Sequence, residues 1–395
     1  MFQTPGVSAL MPDPTHLETE DDGVRPSDGG EAVDAGKGRV FPCGECGADL
    51  VFSIGQQSLQ CPFCQAIKRI EIPPEEKIVE QDLEAMLARI QELKQKGVVD
   101  KSTTGEQEVR CDSCGADVIF VGTLTSSSCP YCGSPLQRDK IHDAPQRIPV
   151  NGVLPFLVPQ ERAAANLKTW VESLWFAPNE FKKRGAEGKF SGVYLPYFTF
   201  DALTWTRFDG QRGDHYWVTR GSGKDSRRVR KTRWSSVDGE FQSVFDDLPV
   251  LAARGQDPTL IQALEPWPFR KCLPYRQELL AGFFARTYDI ELVACFREAR
   301  DRMEAAITAE VRQRIGGDEQ SISDQKSAYS ALAYKHLLLP VWLLVYRYQD
   351  KPYRIAINAA TGEVQGERPY SWVKISLTIA GILVVILLIA AVTQR

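Results

Sequence analysis

Eight of the ten cysteines in this 395-residue sequence form two groups whose spacing is typical of metal sites. Each group reads C-x2-C-x14-C-x2-C, and the second repeats the first at an offset of 68 residues. Four thiolates complete a tetrahedral Zn²⁺ shell and leave no position open for a substrate, so the pattern predicts two structural sites. The predicted ligands are Cys43, Cys46, Cys61 and Cys64 in the first group, and Cys111, Cys114, Cys129 and Cys132 in the second.

Two other chemistries share this spacing. A rubredoxin-type iron site uses the same four-thiolate knuckles, and the spacing leaves iron open. Disulfides are typical of secreted chains, but the N-terminus has neither the basic start nor the apolar stretch of a signal peptide. Gln65 stands where a glycine is expected after the knuckle cysteine Cys64, which predicts a looser turn at that point.

The predicted ribbons, residues 39–72 and 107–140, lie in a part of the chain with little else to form a core, because all eight tryptophans lie at or beyond Trp170. Metal binding would therefore supply their folding free energy. Residues 73–98 between them predict an amphipathic helical linker. We expect its apolar stripe to pack on its own chain, with a partner helix as the alternative. The stripe consists of Val79, Leu83, Met86, Leu87, Ile90 and Leu93.

The remaining segments predict an α+β protein with an antiparallel sheet. Residues 1–38 carry eight acids against two bases and predict a disordered acidic tail. Residues 145–370 predict the α+β globular domain, with helices at 159–176 and around 288–315 and aromatic-rich strands from 193 onward. Turns are predicted at 210–213 and 221–223, and a hairpin near 337–364.

The C-terminal segment is apolar enough to cross a bilayer. Residues 375–392 contain no charge, and as a helix of about 1.5 Å per residue they approach the ~30 Å of a bilayer core. The sequence predicts a transmembrane helix over 373–392 and a tail-anchored, single-pass protein of the cell membrane. The cysteine usage favours a reducing cytoplasm for the bulk of the chain. A buried core helix is the alternative.

Other residues suggest less chemistry. A basic stretch could contact the phosphates of nucleic acid or of anionic lipid, although a solvated edge strand guarded by positive charge explains it too. Its candidate anion-binding residues are Arg227, Arg228, Arg230, Lys231 and Arg233. Cys272 and Cys295 fit neither ribbon and predict buried core thiols. The sequence lacks G-x-S-x-G and H-E-x-x-H, and we expect no enzyme.

Several motifs together resemble a known family. They are "CGECGAD…CPFC", "CDSCGAD…CPYCG", "GVLPF", "FAP", "GVYLPYFTFD" and "NAATGEVQGERP". The chain resembles bacterial membrane-anchored tandem zinc-ribbon proteins, often labelled primosomal replication factor (superfamily II helicase)-like. The helicase label does not fit, because the sequence has no Walker motif.

The resemblance implies a membrane adaptor. Such proteins, with a partner membrane protein, recruit an SPFH-type (virion-core-like) protein and a phage-shock-protein-A-type protein of membrane maintenance. By this resemblance the ribbons are docking modules that use the eight cysteines named above. A zinc-ribbon nucleic-acid-binding protein attached to the membrane is the alternative function.

Overall fold

In a computed structural model the chain divides into two units, Met1–Gly38 and Arg39–Arg395. The structure describes residues 41–73, 75–95, 103–111, 117–120, 129, 141–145, 148–184, 190–221, 226–254, 257–348 and 351–393. The predicted acidic tail, the end of the helical linker and most of the second ribbon lie outside these residues. The described part is α+β with largely antiparallel sheets, as the sequence predicts.

The first ribbon is a small antiparallel sheet of three strands. They are β1 (Val51–Ser53), β2 (Ser58–Gln60) and β3 (Ile67–Arg69). Gly55 turns the chain between β1 and β2 with a positive φ of 82°, a conformation that glycine adopts without steric cost. The sequence between the two cysteine pairs therefore forms a hairpin that brings the second pair back to the first.

Three long strands form the centre of the larger sheet. Strand β9 (Ser191–Arg220) pairs antiparallel with β10 (Arg227–Leu251) and with β13 (Glu319–Tyr348). Alternating aromatic and β-branched residues favour such strands, because these side chains fit a pleated, half-buried surface. The register shifts in β10 between Phe245 and Leu248, and in β13 between Ser330 and Ala333.

Shorter strands complete this sheet. β14 (Lys351–Asn358) forms the predicted hairpin with β13 and pairs with β15 (Val364–Gly366). β4 (Gln81–Asp82), β8 (Gly152–Val153), β11 (Leu273–Pro274) and β12 (Phe284–Arg286) pair along its edges. The backbone of β5 (Thr103–Arg110), β6 (Asp117–Phe120) and β7 (Ile141–Pro145) continues the sheet from β12.

Helices cover the faces of the long strands. α1 (Leu83–Gln95) packs Leu83, Met86, Leu87 and Ile90 against the sheet, so the described part of the linker helix packs on its own chain. α2 (Gln160–Ser173) buries Ala163, Leu167 and Val171 and leads into α3 (Asn179–Arg184). The short α4 (Pro258–Gln262) begins with Asp257, which caps the Thr259 amide.

The C-terminal part of β9 and the N-terminal parts of β10 and β13 form an arm. Helix α5 (Leu292–Ile315) packs against this arm. Phe208 and Phe241 of the strands meet Ile307, Val311 and Ile315 of the helix in a separate apolar cluster. This cluster fixes the arm to a helix that runs beside it. The predicted turn at 210–213 was wrong, because β9 continues without interruption through these residues.

The final element is α6 (Trp372–Thr393), which agrees with the predicted apolar C-terminal helix. Its most apolar part, Trp372–Ala391, is 20 residues long with a mean hydropathy of 2.7, and none of it is buried against the protein. Length and composition suffice for a membrane span. This full exposure of the helix argues against the core-helix alternative in the described structure.

Candidate metal centre, membrane helix and basic hairpin

The first ribbon brings all four predicted cysteines of its group together. The backbone turns tightly after each pair: Cys43 O accepts from Gly47 N, and Cys61 O accepts from Gln65 N. These turns leave the Cys43 and Cys61 thiols buried and the Cys46 and Cys64 thiols at the surface. The sulfur atoms all lie within 4.8 Å of one another.

The sulfur distances suit a metal ion. Cys43 Sγ lies 3.4 Å from Cys64 Sγ, and Cys46 Sγ lies 3.5 Å from Cys61 Sγ. A tetrahedral shell with metal–sulfur bonds of about 2.3 Å places its sulfurs about 3.8 Å apart. The donor set is four thiolates, which is the chemistry of structural zinc and of iron–sulfur proteins. This group can therefore hold one metal ion.

The thiols of this group differ in their pKa values. Hydrogen bonding by the Cys64 amide, above all, lowers the pKa of Cys61 to about 6. The Ala66 amide lowers the pKa of Cys64, but the Cys43 sulfur and partial burial raise it more, to about 12. Interactions between neighbouring sulfur atoms favour the thiolate of Cys61 and disfavour that of Cys64. A divalent cation at their centre would allow all four to ionise.

Gln65 adopts the conformation expected of the glycine that it replaces. Its φ is +64°, a left-handed value that costs a non-glycine residue about 1 kcal/mol. Two hydrogen bonds fix the Gln65 side chain. Gln60 Nε2 donates to Gln65 Oε1 at 2.7 Å, and Gln65 Nε2 donates to Pro62 O at 3.3 Å. Local hydrogen bonds thus hold the knuckle that the sequence predicted to be looser.

The ribbon packs onto the large sheet domain. Phe52 N donates to Ala281 O at 3.0 Å, and buried Phe52 and Leu59 belong to the same apolar cluster as Leu279 and Ala281. A Cβ at Gly282 would lie 3.1 Å from Val51, so this glycine permits the close approach of the two backbones. Metal ligation on one side of the ribbon is therefore coupled to a packed core on the other.

The second predicted metal site is described only in part. Cys111 and Cys129 are both buried, whereas Cys114 and Cys132 lie outside the described residues. Within the described residues one four-cysteine group is evident, the one of the first ribbon. Two zinc ribbons therefore stay a prediction.

Of the other two cysteines, Cys295 is the predicted buried core thiol, whereas Cys272 is only half-buried. Burial raises the pKa of Cys272 and of Cys295 to about 12. Cys295 is buried in α5, and Cys272 is half-buried at the rim of a cleft of about 410 Å³. A thiol that stays protonated is a poor nucleophile.

Helix α6 is fixed to the domain at its first turn. Lys374 Nζ donates to Ala177 O and to Asn179 Oδ1, both at 2.8 Å, and to Trp175 O at 3.4 Å. Ser371 N donates to Phe176 O at 2.8 Å. The loop between α2 and α3 thus holds the start of the apolar helix, and the Lys374 ammonium is directed towards protein oxygen atoms rather than along the helix.

The predicted anion-binding residues lie on a projecting two-stranded segment. We call residues 213–221 and 226–234 the basic hairpin. β13 pairs with β9 as far as Gly213, and beyond this residue β9 pairs with β10. Arg227, Arg228 and Lys231 make no ion pair with any described residue. Arg233 lies over the Tyr216 ring at 5.3 Å.

The basic hairpin also exposes aromatic residues. Trp217 is 59% exposed, and Trp234 and Tyr216 are also at the surface. Trp217 lies opposite Arg230, and Tyr216 lies opposite Lys231, so each face combines an aromatic ring with positive charge. His215 Nε2, in turn, donates to Glu319 Oε1 at 2.6 Å. This hydrogen bond above all, and Arg230 to a smaller extent, lower the pKa of Glu319.

A buried ionic cluster that the sequence did not predict lies where the arm leaves the core. Lys335 Nζ lies 2.8 Å from Asp247 Oδ1, 3.3 Å from Asp201 Oδ2 and 3.1 Å from Glu80 Oε1. Only 10% of the Lys335 side chain is exposed. Burial lowers the pKa of Lys335, but the Asp247 hydrogen bond and the neighbouring carboxylates raise it more. Burial in turn raises the pKa of Asp201.

This ionic cluster lies at the register shifts of β10 and β13, the two strands that flank β9. Asp247 lies within the β10 register shift with a φ of +53°, and its amide donates to Asp201 Oδ1 at 2.6 Å. Ala331 has a φ of +50° within the β13 register shift, at the same level of β9. Bulges bend and twist strands, so the ionic cluster holds a bend at the base of the arm.

Comparisons with known proteins add one relative. No family model matches the chain, and no solved structure matches it. The chain is similar to the uncharacterized protein YdjG of Bacillus subtilis (strain 168), with 23% identity over 352 residues, which cover 87% of this chain and 93% of the relative. The similarity extends over most of both chains, but an identity this low assigns neither a family nor an activity.

Proposed function

We propose that this protein is a membrane-anchored scaffold that presents metal-stabilised ribbons to protein partners in the cytoplasm. The observation that carries the proposal is α6, whose 20-residue apolar segment Trp372–Ala391 is not buried in the described structure and is held to the domain through Lys374 in its first turn. At about 1.5 Å per residue they span about 30 Å, the thickness of a bilayer core. Lipid is the solvent that removes this surface from water.

The metal in this proposal is zinc, and its role is structural. Four thiolates fill the coordination shell, so no position is left for a substrate. Iron is the competing metal, because rubredoxin-type iron sites share this cysteine spacing. We extend the proposal to a second zinc held by Cys111, Cys114, Cys129 and Cys132, on the basis of the repeated spacing. With closed sites and no catalytic pattern in the sequence, we propose no enzymatic activity.

The partner surface proposed for the first ribbon is its outer knuckle. Phe63, between the second pair of cysteines, is 78% exposed, and Ile67 is also exposed. A metal-held turn presents these apolar side chains with little conformational freedom, which favours binding. By the family resemblance, the partners are an SPFH-type protein and a phage-shock-protein-A-type protein. The adaptor role would then link such proteins to the membrane in its maintenance.

Crosslinking and mass spectrometry on native membranes tests this role. We expect crosslinks between the ribbons and an SPFH-type or phage-shock-protein-A-type protein, and we expect Phe63→Ser to weaken them while the metal content stays unchanged. Val244→Ser, at an equally exposed apolar residue on β10, is the matched control. Crosslinks that are indifferent to Phe63→Ser would refute the proposed docking surface, and partners of neither class would refute the proposed adaptor role.

A second candidate function is nucleic-acid binding by the basic hairpin. The supporting observation is the combination of Arg227, Arg228 and Lys231, which make no ion pair with any described residue, with the exposed Trp217 and Trp234. Positive charge contacts phosphates, and aromatic rings stack on bases. A two-stranded ribbon also fits the major groove of DNA.

Salt-dependent binding tests this alternative. If it is correct, the full chain in detergent binds DNA or RNA with an affinity that falls steeply as salt increases. Replacing Arg227, Arg228 and Lys231 by Gln should then weaken binding about tenfold or more and reduce the salt slope. Replacing the exposed, acid-paired Arg212 and Lys326 is the control. Absent or salt-insensitive binding would eliminate this function.

A further inference from the structure

We propose that the loop between α2 and α3, residues 174–178, is a second membrane contact that inserts Trp175 and Phe176 into the lipid headgroup region. This inference rests on the proposed membrane anchor. It adds that the domain lies directly on the bilayer in one orientation, rather than hanging from a flexible tether.

The first argument is the depth of the loop. Ser371 N bonds to Phe176 O at 2.8 Å, and Lys374 Nζ bonds to Ala177 O at 2.8 Å. The loop backbone is therefore level with residues 371–374 of the helix. These residues lie within one helical turn of the end of the apolar span at Trp372. The headgroup region is several ångströms thick on each side of the hydrocarbon core, so the loop lies within it.

The second argument is the chemistry of the exposed side chains. Trp175 is 73% exposed, and Phe176 is exposed as well, although both adjoin a well-packed domain. Trp372 is 78% exposed at the start of the helix, and Tyr370 is exposed beside it. Aromatic residues with one apolar and one polar end concentrate at this level of a bilayer. Trp175, Tyr370 and Trp372 are residues of this kind, and together with the apolar Phe176 they would form one aromatic belt from two separate segments.

The third argument concerns polar groups and charge. A carbonyl that enters the interface loses water and needs a donor. The Lys374 ammonium supplies three bonds to this loop and its neighbour Asn179, as given above. Arg368 stacks on the Tyr370 ring at 5.5 Å and is available to anionic headgroups. Anionic phospholipid is therefore the lipid class that this surface fits best.

Depth-resolved photolabelling tests the inference on the unmodified full chain. The protein is reconstituted into nanodiscs of phosphatidylcholine and phosphatidylglycerol that carry a diazirine near the headgroup end of one acyl chain. After illumination and digestion, we expect lipid adducts on Trp175 or Phe176 and on the first turn of α6. Labelling at the loop should exceed that at Trp205, an aromatic residue on the arm whose exposure of 48% lies between those of Phe176 and Trp175, by about tenfold, because only groups at the interface are within reach.

Each outcome decides a different claim. Adducts on α6 with none at 175–176 would overturn the inference and leave the anchor standing. No adduct anywhere on α6 would refute the anchor itself. A double variant, Trp175→Ser with Phe176→Ser, is expected to lose the loop adducts and keep those of α6. Trp205→Ser should leave both unchanged.

Discussion

At the residue scale, the cysteines of the first ribbon show how far spacing alone can predict a site. Metal ligation requires two close pairs, and C-x2-C encodes each pair locally. Only the return of one pair to the other depends on the fold, and a 14-residue insert is long enough to form that hairpin. The sequence therefore predicted Cys43, Cys46, Cys61 and Cys64 as one cluster.

Replacing one ligand tests the metal site. We expect Cys61→Ser to lower the zinc content of purified protein by about one ion per chain, because three thiolates and a hydroxyl hold the metal far more weakly. Elemental analysis by mass spectrometry provides the measurement. Cys272→Ser, which removes a thiol that lies in no metal cluster, is the control. Equal zinc in both variants, or iron in the native protein, would contradict the assignment.

The ionic cluster around Lys335 shows what spacing cannot predict. Its members come from positions 80, 201, 247 and 335, and nothing local in the sequence links them. The approach of Asp201 and Asp247 depends on the register shift in β10, which arises from long-range pairing. A lysine is ordinarily assigned to the surface.

Replacing Lys335 should destabilise the folded protein. We expect Lys335→Met to lower the free energy of unfolding by about 3 kcal/mol, because it leaves partly buried carboxylates without a counter-charge. Lys326→Met is the matched control on the same strand, since the Lys326 side chain is 79% exposed, and surface ion pairs contribute at most about 1 kcal/mol. Urea denaturation in mild detergent measures both. Equal losses would show that the cluster does not hold the arm.

At the element scale, the turn predicted at residues 210–213 was wrong for a specific reason. Glycines at 210 and 213 suggested a turn, but the structure uses both for close packing. A Cβ at Gly210 would lie 2.6 Å from Ile315 Cδ1 and 2.7 Å from Ser321 O, and one at Gly213 would lie 2.7 Å from Thr232 Cγ2. Whether a glycine turns a strand or permits contact depends on neighbours that are distant in the sequence.

A substitution at Gly210 tests that packing. We expect Gly210→Ala to separate β9 from α5 and β13 locally, since the backbone oxygen of Ser321 has little freedom to move. Hydrogen exchange should accelerate at residues 205–213 and 319–325 and stay unchanged in the first ribbon. Ser236→Ala, on the exposed side of β10, is the control and should change neither. Unaltered protection in the Gly210 variant would contradict this explanation.

At the scale of the whole molecule, the long strands separate two surfaces. The start of α6 lies near the Ser191 end of β9, where Phe181 of α3 stacks on Tyr346 at 5.1 Å. The basic hairpin lies at the other end of this 30-residue strand, about 70 to 100 Å away along the strand at ~3.3 Å per residue. If α6 is in the bilayer as proposed, the protein extends a charged, aromatic surface at the end remote from it.

Membrane extraction tests the central claim most directly. Membranes from cells that produce the full chain are washed with alkaline carbonate, which removes peripheral proteins and leaves those that span the bilayer. We predict that the protein stays in the pellet and that detergent alone releases it, because the proposal places the 20-residue apolar segment of α6 in lipid. Release of folded, zinc-containing protein into the carbonate supernatant would contradict the account.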